Sequence, residues 1–395
     1  MNNILWKKGL VFAIILLFIE VSVVPSTGLI EELSFFVDVD EFDQRIMELM
    51  ELGHMPSLVA CIVKNNTTVW SKGYGKASYY PPKVNATNIT AYPVASITKS
   101  ITATAIMQLY ETGLIDLDEN VSKYLPFDLK NPEYRDINIT FRMLLAHQSS
   151  LRDNGPRFMI FNRIFKNPNN WLKFFFNSPI AWNSYAPGKG VCYSIGTIIL
   201  GLIIENVTKQ SYEDYCQEHI FDPLEMWNTS FYFSDFDKDN LTRLYLWVGG
   251  NYFPYFQLPY IQIPAIELPL GGLKTTVLDL SHYLIMHTSG GVYNDVRILN
   301  ESSVEEMHMH QYPGYYLGNL FSGFGWWGNE IYGGHGGNSI GAYAIMKMRY
   351  SDKVGVIYFW NQNSFLRVMY NCRRQEEIDA IKGIEIALFT KADEF

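Results

Sequence analysis

Basic residues are in deficit: 31 Lys and Arg stand against 40 Asp and Glu, a formal net charge of −9 with a pI near 5.4. Neutralising phosphates takes a basic face, so nucleic acid is excluded as a partner. Cysteine is scarce. The four present, Cys61, Cys192, Cys216 and Cys372, form no C-x-x-C pair, which excludes a disulfide-stapled miniprotein and a cysteine-rich zinc module and leaves room for at most two disulfides. No H-E-x-x-H occurs, and neither His308-Met309-His310 nor the pair His282 and His287 has a clear carboxylate partner at ligand spacing. These histidines are expected to pack or face solvent, and no metal or other cofactor is called for. After residue 29 there is no linker rich in Gly, Pro or Ser, no repeat of fixed period and no block of like charge. From there the chain reads as one continuous body rather than the two or three domains its length would allow.

What is present supports a large core: 48% of the residues are hydrophobic, 15% aromatic and only 18% charged, which excludes a mostly disordered chain. At the N-terminus Lys7 and Lys8 precede an apolar run of 11 residues, Gly9 to Ile19, interrupted by Glu20 and followed by the turn-prone Pro25-Ser26-Thr27-Gly28. Such a run is short for a bilayer but fits the core of an export signal, cut near Ser26 to Gly28. Because apolar character resumes at Val21 to Val24, an uncleaved signal anchor is the alternative, and only then would a membrane be a partner. Either way the body is expected to be secreted or extracytoplasmic. Ten N-x-S/T sequons, at Asn65, Asn66, Asn85, Asn88, Asn120, Asn138, Asn206, Asn228, Asn240 and Asn300, suit an exported glycoprotein.

The periodicity gives a coarse architecture. Leu58 to Lys64 and Thr67 to Tyr74 are β-branched or aromatic runs separated by Asn65-Asn66, a hairpin pattern. Ala342 to Tyr350 and Lys353 to Trp360 flank Ser351-Asp352 in the same way, and Glu376 to Phe389 carries Ile378, Ile381, Ile384 and Leu388 on one helical face. In between the period becomes helical, as in Ile97, Ile101, Ala105 and Leu109, and in Val277, Leu280, Tyr283 and Leu284. The expectation is a sheet built from both chain ends with a helical middle inserted.

Three segments could carry chemistry. Ser96-Ile97-Thr98-Lys99 is the single S-x-x-K of the chain and opens an apolar helical pattern. One turn of helix puts serine and lysine on the same face, where the amine can take the hydroxyl proton. Tyr193-Ser194 precedes the apolar stretch Ile198 to Ile204. Gly333-Gly334-His335-Gly336-Gly337 lies just before an expected strand; its glycines let backbone N–H groups approach a ligand, as an oxyanion hole requires, though a turn with an exposed histidine has the same composition. A rival serine, in Gly337-Asn338-Ser339-Ile340-Gly341, satisfies G-x-S-x-G, but all eight histidines precede it, the reverse of the order that nucleophile elbow requires. It is expected in the loop after the glycine-rich segment.

Ser96-x-x-Lys99, Tyr193-Ser194 and His335-Gly336-Gly337, in that order, resemble the β-lactamase-related serine hydrolases: class C β-lactamases, DD-carboxypeptidases and the esterases and D-aminopeptidases like them. Leu144 to Leu151 (LLAHQSSL) is similar to the L-L-x-H-x-S-G-L of that family. Tyr215 to Ser230 is similar to its Y-x-x-x-x-I-F-x-P-L-G-M-x-x-T, and Gly271 to Asp279 to its G-G-L-x-S-T-x-x-D. The resemblance implies an α+β, β-lactamase/DD-peptidase-like fold in one domain, 29–395, after a segment 1–28. Its antiparallel sheet, about 29–80 and 325–395, would be flanked by helices, with an inserted, mostly helical part at about 81–324.

For activity the resemblance implies acyl transfer from a small-molecule or peptide-like ester or amide. Ser96 would attack the carbonyl, Lys99 and Tyr193 would share the general-base work, and Tyr193 would protonate the leaving group. His335 would contribute beside Gly336 and Gly337, and the oxyanion would sit between the backbone N–H groups of Ser96 and Asn338. Two departures stand out. Ile195 replaces the asparagine that commonly ends the family's Y-x-N, and His335-Gly336-Gly337 stands where typical β-lactamases have Lys-Thr-Gly, so efficient penicillin hydrolysis is not expected. Loss of that asparagine motivates the alternative of a non-catalytic module binding peptide or cell-envelope ligands. Lys274-Thr275-Thr276, a near miss to Lys-Thr-Gly, is expected to be structural. The Phe- and Trp-rich segment from Arg152 to Ala186 would either wall the site or form helical core.

Overall fold

The computed structural model describes residues 40–152, 168–193, 195–255, 264–364 and 374–395. The N-terminal apolar run, Ser194, Cys372 and much of the Phe- and Trp-rich segment lie outside them. One sheet of eight strands organises the rest: β1 (Ser57–Lys64), β2 (Thr67–Ser78), β3 (Val84–Asn85), β4 (Phe321–Ser322), β5 (Trp327–Gly328), β6 (Tyr332–Ser339), β7 (Ala342–Arg349) and β8 (Gly355–Trp360). In space they run β4-β5-β6-β7-β8-β1-β2-β3, with every neighbouring pair antiparallel. The chain ends therefore meet where β1 pairs with β8, Leu58 opposite Trp360.

Local chemistry explains the hairpins. Asn65 and Asn66 both take left-handed φ, 52° and 59°, which asparagine tolerates and a two-residue turn matched to strand twist requires. Helices α1 (Glu41–Leu52), α2 (Thr98–Glu111), α3 (Gly196–Thr208), α4 (Val277–Thr288) and α5 (Gln375–Ala392) complete the frame. Ile46 and Leu49 of α1 and Ile384 and Leu388 of α5 cover one sheet face with Leu58, Ala60 and Ile62. The alternate residues Val59, Cys61 and Val63 face the larger core with α2, α3 and α4. Covered on both faces, β1 has an unbroken apolar sequence where a half-exposed strand would alternate. Between the chain ends the structure is mostly helical, with a small sheet of Tyr245–Val248, Asn251–Pro254 and Gln362–Ser364.

Two local expectations are corrected. The glycine-rich segment does precede the expected strand, β7, but it is not a turn before it: it is itself the strand β6, in register with β7 so that His335 lies opposite Met346. Ser339 is not in a loop beyond it but ends β6, opposite Ala342. Cys61, Cys192 and Cys216 are unpaired thiols.

Candidate active site

Ser96 belongs to a 3-10 turn, Ala95–Ile97, that runs directly into α2. The residue before it, Ala95, has a φ of 45°, a left-handed conformation that costs a non-glycine roughly 1–2 kcal/mol. Thr98 holds the bend, its hydroxyl donating to Ala95 O at 2.6 Å while accepting from Leu273 N–H at 3.2 Å. Three residues on from Ser96, Lys99 is 1% exposed, and its Nζ donates to Ser96 Oγ at 3.0 Å and to Leu270 O at 2.6 Å. Serine and lysine are thus in contact as their one-turn spacing requires. Ile195 offers no amide to this lysine: its side chain is 1% exposed in the core, where it precedes α3. The acceptor is the Leu270 carbonyl, at the end of a Leu-Pro-Leu turn that side-chain motifs do not reveal.

Lys99 Nζ lies 4.9 Å from the centre of the Tyr193 ring, placing the second motif beside the first. The ring of His147 is 4.8 Å from that of Tyr193 and stacks on Trp327 at 5.4 Å. His147 O also accepts from Cys192 N–H at 3.0 Å, so one residue holds both the ring of Tyr193 and the chain entering it. In the sequence His147 belongs to the family-like segment Leu144 to Leu151 and has no site role; in the structure these contacts, its burial and its left-handed φ of 56° mark it. Burial, reinforced by the positive charge of Lys99, holds its imidazole neutral well below the usual histidine range.

His335, third of the sequence candidates, is 6.1 Å from Tyr193 ring to ring and buried, so it is not the exposed turn histidine its glycines also allowed. Burial, with Lys99 as the second cause, lowers its pKa to about 3. Neutral His335 donates from Nδ1 to Gly336 O at 2.8 Å, leaving Nε2 a buried acceptor with no hydrogen-bond partner. Such an acceptor costs about 1–3 kcal/mol until something donates to it.

Ser96, Tyr193, His335, Gly336, Gly337 and Asn338 line one cleft of about 550 Å³. Every catalytic candidate except buried Lys99 is among its lining, and Lys99 reaches it through Ser96. From His335 to Ser339, β6 is paired only with β7, since β5 reaches no further than Gly333 and Gly334. Gly337 lets this strand approach Ser96: a Cβ there would lie 1.9 Å from Val94 O and 3.3 Å from Ser96 N. Gly337→Ala is therefore expected to push β6 from Ser96 and lower kcat/KM at least about 100-fold while circular dichroism is retained. Wild-type turnover in that variant would refute the close approach.

Other candidates lie elsewhere. Lys274 is buried, with Nζ bound to Phe231 O and Gly272 O at 2.6 and 2.8 Å, and burial lowers its pKa to about 8. It is not part of the cleft lining. His287 and His308 pack against each other and Trp326, and His310 stacks on Phe321. Among the described residues no three His, Cys, Asp or Glu are grouped as metal ligands.

The family model described as Beta-lactamase matches residues 42–377, nearly the whole of this arrangement. The chain belongs to the Beta-lactamase family. Protein flp of Staphylococcus aureus strain MW2 is 35% identical over 193 residues, 48% of this chain and 38% of its own length, so the matched stretch spans well under half of that relative. Among solved structures, the octameric penicillin-binding protein homologue from Pyrococcus abyssi aligns at 29% identity with a TM-score of 0.68, over 82% of this chain and 73% of that one. The hydrolase EstCE1, with promiscuous acyltransferase activity, aligns at 18% identity and a TM-score of 0.69, over 86% and 98%. At that identity the second likeness concerns the fold, and the fold is the β-lactamase and penicillin-binding type with its antiparallel sheet.

Proposed function

We propose that this Beta-lactamase family member is an exported serine hydrolase that cleaves esters or amides through a covalent acyl-Ser96 intermediate. The observation that carries the reading is the 3.0 Å contact between Lys99 Nζ and Ser96 Oγ at a cleft shared with Tyr193 and His335. Lys99 in its neutral form, or the Tyr193 phenolate, takes the Ser96 proton as Oγ attacks the carbonyl carbon. The oxyanion is received by the N–H groups of Ser96 and Asn338, and Tyr193 returns the proton to the leaving group. Neutral His335 offers Nε2 as an acceptor, so it can steady a donor such as the Tyr193 hydroxyl or a substrate amide but has no proton of its own there. The non-catalytic alternative rested on the missing asparagine, and Leu270 O already supplies Lys99 with an acceptor.

Export is part of the proposal. All ten sequon asparagines are exposed or half-exposed, including the two that form the β1–β2 turn, so each is open to modification in a secretory compartment. No helix among the described residues is long and apolar enough to cross a membrane. Mass spectrometry after treatment with a covalent acylating probe is expected to find Ser96 labelled and p-nitrophenyl ester turnover lost in Ser96→Ala. Labelling at another residue, with Ser96→Ala fully active, would sink the proposal.

A further inference from the structure

Beyond its reacting groups the cleft is lined by Leu317, Leu320, Trp327, Ile345 and Met346. The two leucines stand on a hairpin tip: Leu317 N–H donates to Leu320 O at 2.9 Å and Leu320 N–H to Leu317 O at 3.3 Å. Gly318, at a φ of 63°, makes this two-residue turn. The base of the loop is fastened. Arg142 donates to the Gln311 side chain at 2.6 Å, Gln311 N–H donates to Ser322 O at 3.2 Å, and the His310 ring stacks on Phe321 at 5.0 Å. Yet Tyr316, Leu317 and Leu320 remain 53%, 46% and 41% exposed. A single exposed leucine means little, but a pinned turn that presents two of them to a cleft already walled by Trp327 is a preformed apolar surface.

The charges of the same lining point the same way. Its one cation among the described residues, Lys347, is held by Glu385 at 2.5 Å and lies 4.4 Å over the Tyr332 ring. No uncommitted cation in the lining waits for a substrate carboxylate. We propose that the preferred substrate is an ester carrying an uncharged apolar chain, seated against Leu317, Leu320 and Trp327. This rests on the serine-hydrolase reading and narrows it. The bond from Ser96 Oγ to the carbonyl carbon forms and the ester C–O bond breaks, the alcohol leaving with the serine's proton. Water then cleaves the acyl-Ser96 bond, giving the acid and restoring the hydroxyl.

The test measures kcat/KM of the full chain on p-nitrophenyl esters from acetate to decanoate, and on alkyl acetates of rising alcohol length. In one of the two series kcat/KM is expected to rise about twofold to fourfold per methylene up to about six carbons. The Leu317→Ser/Leu320→Ser double variant, folded by circular dichroism, is expected to lower the octanoate-to-acetate ratio, or its alcohol counterpart, at least tenfold. p-Nitrophenyl hydrogen succinate should be at least tenfold poorer than the butyrate. Turnover that depends on Ser96 but is flat in both series, or a ratio unmoved in the double variant, overturns this inference alone. Absence of Ser96 labelling and of turnover on every ester overturns it together with the serine-hydrolase reading.

Discussion

Lys99→Ala is expected to lower kcat/KM for an activated ester by about 10²- to 10⁴-fold, the span a positioned general base commonly contributes. The physical case is local. Lys99 Nζ is 3.0 Å from Ser96 Oγ, and its other contact, with Leu270 O at 2.6 Å, anchors the amine where the serine proton must go. The alanine variant also removes a buried side chain, so a stability loss could imitate a catalytic one. Lys99→Arg separates the two. Arginine keeps the positive charge but stays protonated and cannot accept a proton. If Lys99 acts as base, the arginine variant is nearly as slow as the alanine one; if its charge alone mattered, arginine would recover most of the rate. Steady-state kinetics beside thermal melts would tell these apart, and wild-type kcat/KM in Lys99→Arg would refute the assignment.

The second large effect concerns acid. His147, His287 and His335 are almost completely buried, at 2%, 3% and 4% exposure. Burial holds all three well below the ordinary histidine pKa of 6.5, with His335 at about 3. Lys99 adds to the effect at His147 and His335, and His308 adds to it at His287. Below pH 6.5 the unfolded chain binds protons that these native imidazoles do not, so stability falls as the pH drops, for His335 down to about pH 3. One such histidine contributes on the order of 1 kcal/mol per pH unit below 6.5, and the three act in the same direction. By pH 5 the loss is expected to reach a few kcal/mol, a substantial share of the stability of an ordinary domain. Urea unfolding at pH 7 and pH 5 would measure this as a large fall in midpoint. Equal midpoints would show that the three imidazoles are protonated in the native state.

The active-site candidates were unusually legible because their chemistry needs fixed spacing. Ser96 and Lys99 are one helical turn apart, and the contact between them follows once that segment becomes helical. The hairpins were legible for a similar reason, since Asn65 and Asn66 suit left-handed φ and the flanking runs suit strands. His335 was harder. Glycines on both sides of it read as a turn, yet they allow β6 to pass close to Val94 and Ser96 and bury the imidazole, because tertiary packing outweighed the weak strand propensity of glycine. His147 and Leu270 O could not be found in this way. One acts through ring packing with Tyr193 and Trp327, and the other through a backbone carbonyl that every residue possesses.

By itself, then, the sequence determined the family, the sheet built from both chain ends and the pairing of Ser96 with Lys99, because periodicity and short-range spacing are local properties. Tertiary structure alone decided which groups surround that pair. Residues 96, 147, 193, 270 and 335 are brought together by sheet register and helix packing, and burial then sets which of them carry charge. The same packing decided where the apolar surface lies, since Leu317 and Leu320 line the cleft from a loop whose base is tied through Gln311 to Arg142 and Ser322.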